Sequence, residues 1–294
     1  THTIPAIKEK VELNEGENRI EMMLDMGEDM LTWSEFHPAL YRLNASLSTK
    51  DGKDNQIIQF GMRDFATEGT QFTINGFKTF LRGKHDACVF PLTGYAPMDV
   101  ESWRRIFRIA KYYGINYYRC HSYTPPKAAF EAADLEGIYF QAELPLWGTI
   151  SAHNPRLNNF LLNEANMTLD YLGNHPSFMM FGLGNELNGD VGIMRSWLEG
   201  FRKQALSLGA EERTGLVSQI MPMENTFMMA GPPRRRRLLY HLPCRMGRGI
   251  YLARQEFFCL CRCRKRRNTE QYQAQHPSQL FRCHSQMPAP CHRA

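Results

Sequence analysis

No apolar run in this chain of 294 residues approaches the ~18–20 residues needed to cross a bilayer as a helix, which excludes a helical membrane protein. Neither G-x-G-x-x-G nor G-x-x-x-x-G-K-[ST] follows any strand-like run, which counts against nucleotide-binding folds. The opening Thr1-His2-Thr3-Ile4-Pro5 shows no basic n-region, no apolar h-region and no initiator Met, so a signal peptide is expected to be absent or already removed. Asp is missing from residues 214–294, and Lys265 is their one lysine. With 43% apolar, 22% charged and 12% aromatic residues, neither wholesale disorder nor collagen-like sequence fits.

What is present divides unevenly. Residues 214–294 hold 14 Lys+Arg against 3 Asp+Glu, a balance of +11, whereas residues 1–213 hold 21 against 27, a balance of −6. Six of the eight cysteines, from Cys244 to Cys291, lie in the basic stretch. The net charge of +5 therefore describes neither part.

The first 65 residues read as β-structure. Val11-Glu12-Leu13, Arg19-Ile20-Glu21-Met22 and Ile57-Ile58-Gln59-Phe60 are short strand-like runs, and residues 41–47 alternate strictly. Asp51-Gly52 marks a turn. Strands of this length and spacing suggest a partial sandwich of immunoglobulin type. His37, before Pro38 in a loop, reads as structural.

From about residue 72 the pattern becomes alternating strands and helices. Thr79–Gly83 reads as a strand. A helix capped by Asp99 follows, with Val100, Trp103, Phe107 and Ala110 on one face and Gly114 at its end. Ile115–Arg119 reads as the second strand, and the second helix runs from Pro125-Pro126 to Gly137. Ile138–Glu143 is the third strand, and Leu157, Phe160, Leu161, Ala165, Leu169 and Leu172 share a helical face. Phe178–Leu183 is apolar throughout, as a strand covered on both sides should be. A fourth helix carries Val191, Met194, Trp197, Leu198, Phe201 and Ala205. Such alternation implies a parallel sheet with right-handed crossovers, either doubly wound or a (β/α)8 barrel. Chemistry-bearing residues gather where each strand ends: Arg82, Lys84, His85 and Asp86; Arg119, Cys120 and His121; Glu143, with Trp147 beyond it; Asn185 and Glu186. Convergence of polar groups at successive strand ends is what a barrel mouth requires.

Four stretches, in order, resemble glycoside hydrolase family 2, which includes β-galactosidases, β-glucuronidases and β-mannosidases. Asn174–Glu186 is similar to the family's fourth barrel strand and Ile115–His121 to its second. Phe60-Gly61-Met62-Arg63 with Ile74-Asn75-Gly76 and Leu81-Arg82-Gly83 resembles its crossing from sandwich to barrel. Trp33–Tyr41 resembles a segment of its immunoglobulin-like domain. The resemblance covers about residues 1–212. It implies three regions: a partial immunoglobulin-like sandwich over 1–65, the first four β/α units of a TIM barrel over 66–212, and a basic Cys/Arg-rich tail over 213–294, irregular or disordered.

The resemblance also implies a retaining double displacement at a β-glycoside, with two carboxyl groups ~5–5.5 Å apart. Glu186 maps to the acid/base and is expected in partly apolar or anionic surroundings that keep it protonated; the same residue type before a helix also serves as a salt-bridged surface group. Asn185 maps to the residue that hydrogen-bonds the sugar 2-hydroxyl. His121 is similar to histidines lining the −1 subsite, and His85 and Asp86 to substrate-contacting residues. Glu143 either orients the sugar or pairs with Arg119, and Trp147 is either a sugar platform or a core residue. No cofactor or metal is implied; the partner is a carbohydrate, with neither specific nucleic acid nor membrane expected. The family is often periplasmic or secreted.

The nucleophile, a second Glu on the seventh strand, has no counterpart. Beyond residue 213 only Glu224, Glu256 and Glu270 are available, none after an apolar strand with suitable neighbours. A whole barrel takes about 250 residues; the pattern fails well before that. The tail, with Arg234–Arg237 and the run Arg262–Arg267, reads best as a translated alternative frame. A basic nucleic-acid module and a zinc site at Cys259, Cys261, Cys263, His284 and His292 are the other readings, although Cys-x-Cys-x-Cys lacks the usual zinc spacing. The chain is thus expected to be catalytically incomplete and, through the open edges of a half-barrel, prone to self-association. The alternative is a non-catalytic carbohydrate- or polyanion-binding protein using the barrel mouth and the basic tail.

Overall fold

The computed structural model describes residues 2–14 and 16–207 together with the strand segments 226–228, 237–244, 257–259 and 280–286. The chain divides into two units, one of residues 1–31, 39–62 and 234–294 and one of residues 32–38 and 63–233.

In the first unit, β1 (Thr3–Ile4), β2 (Gly16–Met23), β3 (Leu40–Thr49) and β4 (Gly52–Phe60) come first. β3 and β4 form an antiparallel hairpin in which Thr49 faces Gly52, and the Thr49 hydroxyl accepts the Asp51 N–H at 3.2 Å. The alternation of β3 does what a period of two predicts. Tyr41, Leu43, Ala45 and Leu47 are buried and join Ile4, Met22, Leu24, Met26, Phe60 and Met62 in one core, while Arg42 is exposed. Val11–Leu13 is not a strand; Leu13 packs against that core from an unpaired segment, so its apolar character is satisfied without a ladder.

The second unit opens with an antiparallel trio, β5 (Phe65–Glu68), β6 (Gln71–Ile74) and β7 (Phe77–Thr79). Then come β8 (Gly83–Asp86), α1 (Val100–Tyr112), β9 (Tyr117–Cys120), α2 (Lys127–Glu136), β10 (Tyr139–Glu143), β11 (Trp147–Ile150), α3 (Pro155–Leu172), β12 (Phe178–Gly182), β13 (Asn185–Gly189) and α4 (Val191–Ser207). β8, β9, β10 and β12 pair in parallel and in chain order, with β14 (Thr226–Met228) antiparallel on the far side of β12. Each new strand adds beside the last, without the reversal of order that defines a doubly wound sheet. The winding is that of a barrel.

The first barrel strand begins later than its sequence pattern suggests. Phe77–Thr79 pairs with β6, and the Asn116 side chain takes the Phe80 carbonyl and the Arg82 N–H at 3.0 and 2.7 Å, so the parallel ladder starts at Gly83. His85 and Asp86 therefore lie on the strand itself.

The helices start and stop for local reasons. Asp99 accepts the Ser102 N–H at 2.8 Å, Asn154 accepts that of Leu157 at 3.2 Å ahead of Pro155, and Asp190 accepts that of Ile193 at 3.0 Å. α2 ends at Gly137, whose φ of 71° closes the helix and whose missing side chain admits the Glu35 backbone; a Cβ would lie 2.7 Å from Glu35 O. Between sheet and helices, Trp103, Phe107, Tyr118, Phe130, Phe140, Phe178 and Phe181 are fully buried and in ring contact. Each such side chain contributes about 1.5–3 kcal/mol by leaving water.

At the N-terminal ends of the strands, polar groups are buried and matched. Arg63 donates from Nε to Pro176 O at 2.5 Å and from Nη2 to Phe178 O at 2.6 Å. Asp134 takes His175 Nδ1 at 2.6 Å on one oxygen and the Ser177 N–H at 3.0 Å on the other. Trp33 is fully buried and donates to the Asp134 carbonyl at 2.8 Å.

The irregular tail expected over 213–294 is corrected at four places. Besides β14, β15 (Arg237–Cys244) pairs with β2 and β16 (Phe257–Cys259), and β17 (Leu280–Gln286) lies between β1 and β3, all antiparallel. The apolar islands Leu238-Leu239-Tyr240 and Phe257-Phe258 are the stretches that pair with each other, and β2 and β3 offer the edges that strands seek. Glu224, Glu256, Glu270, Arg234–Arg236, Arg262–Arg267, Cys261, Cys263 and His292 lie outside the described residues. No helix among the described residues is long and apolar enough to cross a membrane.

Candidate active site

The strand ends bring most of the expected residues together in two chains of contact. In the first, the His85 and His121 rings meet edge to face at 4.5 Å between centroids, and His121 meets Trp147 at 5.2 Å in the same manner. The Trp147 indole N–H then donates to Glu186 Oε2 at 2.9 Å. Trp147 is 64% exposed, which places it at the mouth and outside the core. Its position follows from the pairing of β11 with β13, where Trp147 stands opposite Asn185.

In the second chain, Arg119 donates from Nε to Glu143 Oε1 at 2.7 Å and from Nη2 to Asn185 Oδ1 at 2.9 Å. Glu143 is 1% exposed, and its carboxylate also takes the Gln141 side-chain N–H at 3.1 Å and the Ser122 backbone N–H at 2.9 Å. The ion pair with Arg119, one of the two roles open to Glu143, is present. The chains join at the Asn185–Glu186 peptide.

Asp86 stands apart. It is 4% exposed, with Oδ2 accepting the Tyr123 hydroxyl at 2.9 Å and Oδ1 3.2 Å from Lys84 Nζ. Burial, then the nearby Cys120 and Asp86, push the Tyr123 phenol well above its ordinary range, so it remains a donor. Burial likewise raises the Cys120 thiol.

The backbone at Asn185–Glu186 is shaped by close approach. Gly184 adopts φ 132°, and a Cβ there would sit 2.2 Å from the Leu146 carbonyl, which also accepts the Asn185 N–H at 3.0 Å. Only glycine fits. Glu186 has φ 47°, a left-handed conformation that costs a non-glycine residue about 1–3 kcal/mol. The partly apolar or anionic surroundings expected for Glu186 are not found among the described residues: its side chain is exposed and its carboxylate is met by an N–H donor.

Sequence reasoning missed Gln141, Tyr117 and Tyr123 as members of this array. Gln141 was detectable as the one amide in an otherwise apolar and acidic strand, whereas the partnership of Tyr123 with Asp86 depends on how the loop after β9 folds back.

Residues 65–203 match the model of the glycosyl hydrolases family 2, TIM barrel domain. By this match the chain resembles glycosyl hydrolase family 2. A β-glucuronidase of Paenibacillus borealis is 27% identical over 202 residues, covering 58% of this chain and 33% of that protein. A β-galactosidase of Lactococcus lactis is 28% identical over 167 residues, covering 52% of this chain and 16% of that protein. Among solved structures, Parabacteroides merdae β-glucuronidase superposes with a TM-score of 0.51 at 25% identity, covering 61% of this chain and 24% of that one. A family 2 member from Bacteroides cellulosilyticus gives 0.51 at 26%, covering 59% and 24%. The chain spans a third or less of these relatives' own length. What the match supports is a TIM-barrel segment with a parallel sheet.

Proposed function

We propose that this chain carries the acid/base side of a retaining β-glycosidase site and lacks the nucleophile. The observation that carries the reading is the Asn185–Glu186 pair beyond the fourth parallel strand, its carboxylate exposed and met by Trp147, whose ring touches His121 and, through it, His85. In this reading Glu186 gives its proton to the glycosidic oxygen as the bond to the anomeric carbon lengthens, and Asn185 holds the sugar 2-hydroxyl. His85, His121 and Trp147 line the subsite, with Asp86 and Glu143 supporting it from behind. The other two strand-end carboxylates are committed, Glu143 to three donors and Asp86 to two, so neither is free to attack the sugar. Residues 1–65 are assigned to a partial immunoglobulin-like sandwich, 66–212 to the half-barrel, and 213–294 to a stretch outside the family's fold. The relatives suggest β-glucuronides and β-galactosides as the first substrates to try.

Phenyl β-glucuronide and phenyl β-galactoside test this directly, because phenoxide leaves slowly without a proton. In buffer the chain and its Glu186→Gln variant should be equally inactive. With concentrated azide the missing nucleophile is supplied from solution: azide bonds to the anomeric carbon, the C–O bond breaks, and Glu186 protonates the departing phenoxide. An α-glycosyl azide should then form with the native chain and not with Glu186→Gln. Hydrolysis in buffer above the variant's level would overturn the claim that the nucleophile is missing. Azide product formed equally by both proteins would overturn the role of Glu186.

A further inference from the structure

We propose that Glu143 is a positioning residue, which never meets the sugar and acts through Arg119 to set which face of the Asn185 amide the mouth presents. The proposal rests on the reading of Asn185 as a sugar-binding residue and extends it to a buried array behind the site.

A guanidinium carries donors only, so the Asn185 atom facing Arg119 Nη2 at 2.9 Å must be the carbonyl oxygen. The amide nitrogen is thereby turned the other way. It has no hydrogen-bond partner among the described residues, and it is not among the buried atoms that lack one. Asn185 therefore turns its N–H group to a ligand, while its oxygen, already taken by Arg119, faces away. A sugar position that presents an oxygen acceptor is accommodated; one that presents only C–H, as in a 2-deoxy sugar, forgoes the bond.

That orientation is only as firm as Arg119, whose side chain is 38% exposed and would otherwise sample several rotamers. Glu143, 1% exposed, fixes it through Nε at 2.7 Å. Glu143 is fixed in turn by the Ser122 N–H and by Gln141. The Gln141 amide is itself oriented, since its oxygen accepts the Tyr117 hydroxyl, leaving its N–H group for the carboxylate. The series Tyr117, Gln141, Glu143, Arg119, Asn185 alternates donor and acceptor without a mismatch, and its far end, Tyr117, is the first residue of β9, at the opposite end of that strand from the mouth. Alignment of this kind makes each bond depend on the next.

The test uses the full chain and two variants. Glu143→Gln keeps the shape and removes the charge that holds Arg119. Tyr117→Phe leaves a half-buried ring in place and releases only the far end, which keeps the test open should the first variant fold poorly. The first readout needs no sugar: the side-chain 15N–1H2 signals of Asn185 should shift or broaden strongly in Glu143→Gln and weakly in Tyr117→Phe. Those of Gln204, held by Asp170 at 2.8 Å, should stay in place and so certify the fold. The second readout is binding of methyl β-galactoside and its 2-deoxy analogue, followed by Trp147 fluorescence. The native chain should prefer the 2-hydroxy sugar about five- to tenfold, and Glu143→Gln should reduce that preference to about twofold or less. Unchanged Asn185 signals in a Glu143→Gln protein with intact Gln204 signals would overturn the relay, as would an undiminished preference. If the native chain binds neither sugar, the functional reading of Asn185 falls, and the amide signals decide the relay by themselves.

Discussion

The two ends of the parallel sheet use the same residue types for opposite purposes. At the N-terminal end His175 is nearly buried against Asp134, which also takes the Ser177 N–H, and Arg63 spends its donors on two backbone carbonyls. At the C-terminal end His85 and His121 touch each other and Trp147, and no carboxylate is paired with either among the described residues. The first arrangement holds loops to strands. The second keeps polar atoms available, which stabilises nothing and suits a ligand. The difference between a structural and a functional histidine therefore lies in how fully its surroundings use it.

The largest expected effect comes from breaking the satisfied end. Asp134→Ala would strand His175 and the Ser177 N–H inside the protein, and the loss should be about 3–5 kcal/mol, a large part of the usual stability of a domain. Urea unfolding followed by tryptophan fluorescence measures it. A loss below about 1 kcal/mol would show that water replaces Asp134 cheaply and that this end is less committed than its geometry implies.

Alkaline titration probes the same comparison more gently. Burial pushes the Tyr139 phenol up to about 12, from an ordinary 10.0, while its oxygen accepts the Glu35 N–H at 3.2 Å. Between those values the folded chain keeps a proton that the unfolded chain has lost, so stability is fully present below pH 10 and falls as pH rises towards 12. Tyr118 and Tyr123 are raised further, in the same direction and chiefly by burial, so the mouth end contributes to the same slope. Tyr139→Phe should make the decline of the unfolding midpoint above pH 10 shallower without abolishing it. An unchanged slope would mean that Tyr139 titrates freely.

Much of the parallel sheet and its helices is legible in the sequence because their signals are local. The Asp99 cap and the Gly137 stop are each decided by neighbours in the chain and stand where their pattern says, and the apolar run Phe178–Leu183 forms a strand that closes one residue earlier, at Gly182. The register of β8 was not legible, because Thr79-Phe80 suits a strand equally well in either sheet and the choice is made by Asn116, more than thirty residues away. β11 and β13 were invisible for a related reason. Trp147–Ile150 and Asn185–Gly189 have little strand character, and they pair because Gly184 lets one backbone approach the other. At the site, residue identities could be read, but the partner of each could not: Asp86 and Glu143 look as available as Glu186 until their hydrogen bonds are traced.

The smallest stability effect is expected at the open end, and that makes it informative. His121→Ala removes two ring contacts and no hydrogen bond to a buried group, so the unfolding free energy should change by only about 0.5 kcal/mol. Binding of methyl β-galactoside should weaken about tenfold over the same substitution, a loss near 1.4 kcal/mol. Asp134→Ala should show the converse at a temperature where it remains folded: low stability with sugar affinity little changed. The difference between the binding loss and the stability loss, measured on both variants by titration and by unfolding, expresses the contrast between the ends as a pair of opposite signs. Were His121→Ala instead to destabilise the chain by several kcal/mol, its rings would have to be packing elements, and the mouth would be a second structural end of the sheet.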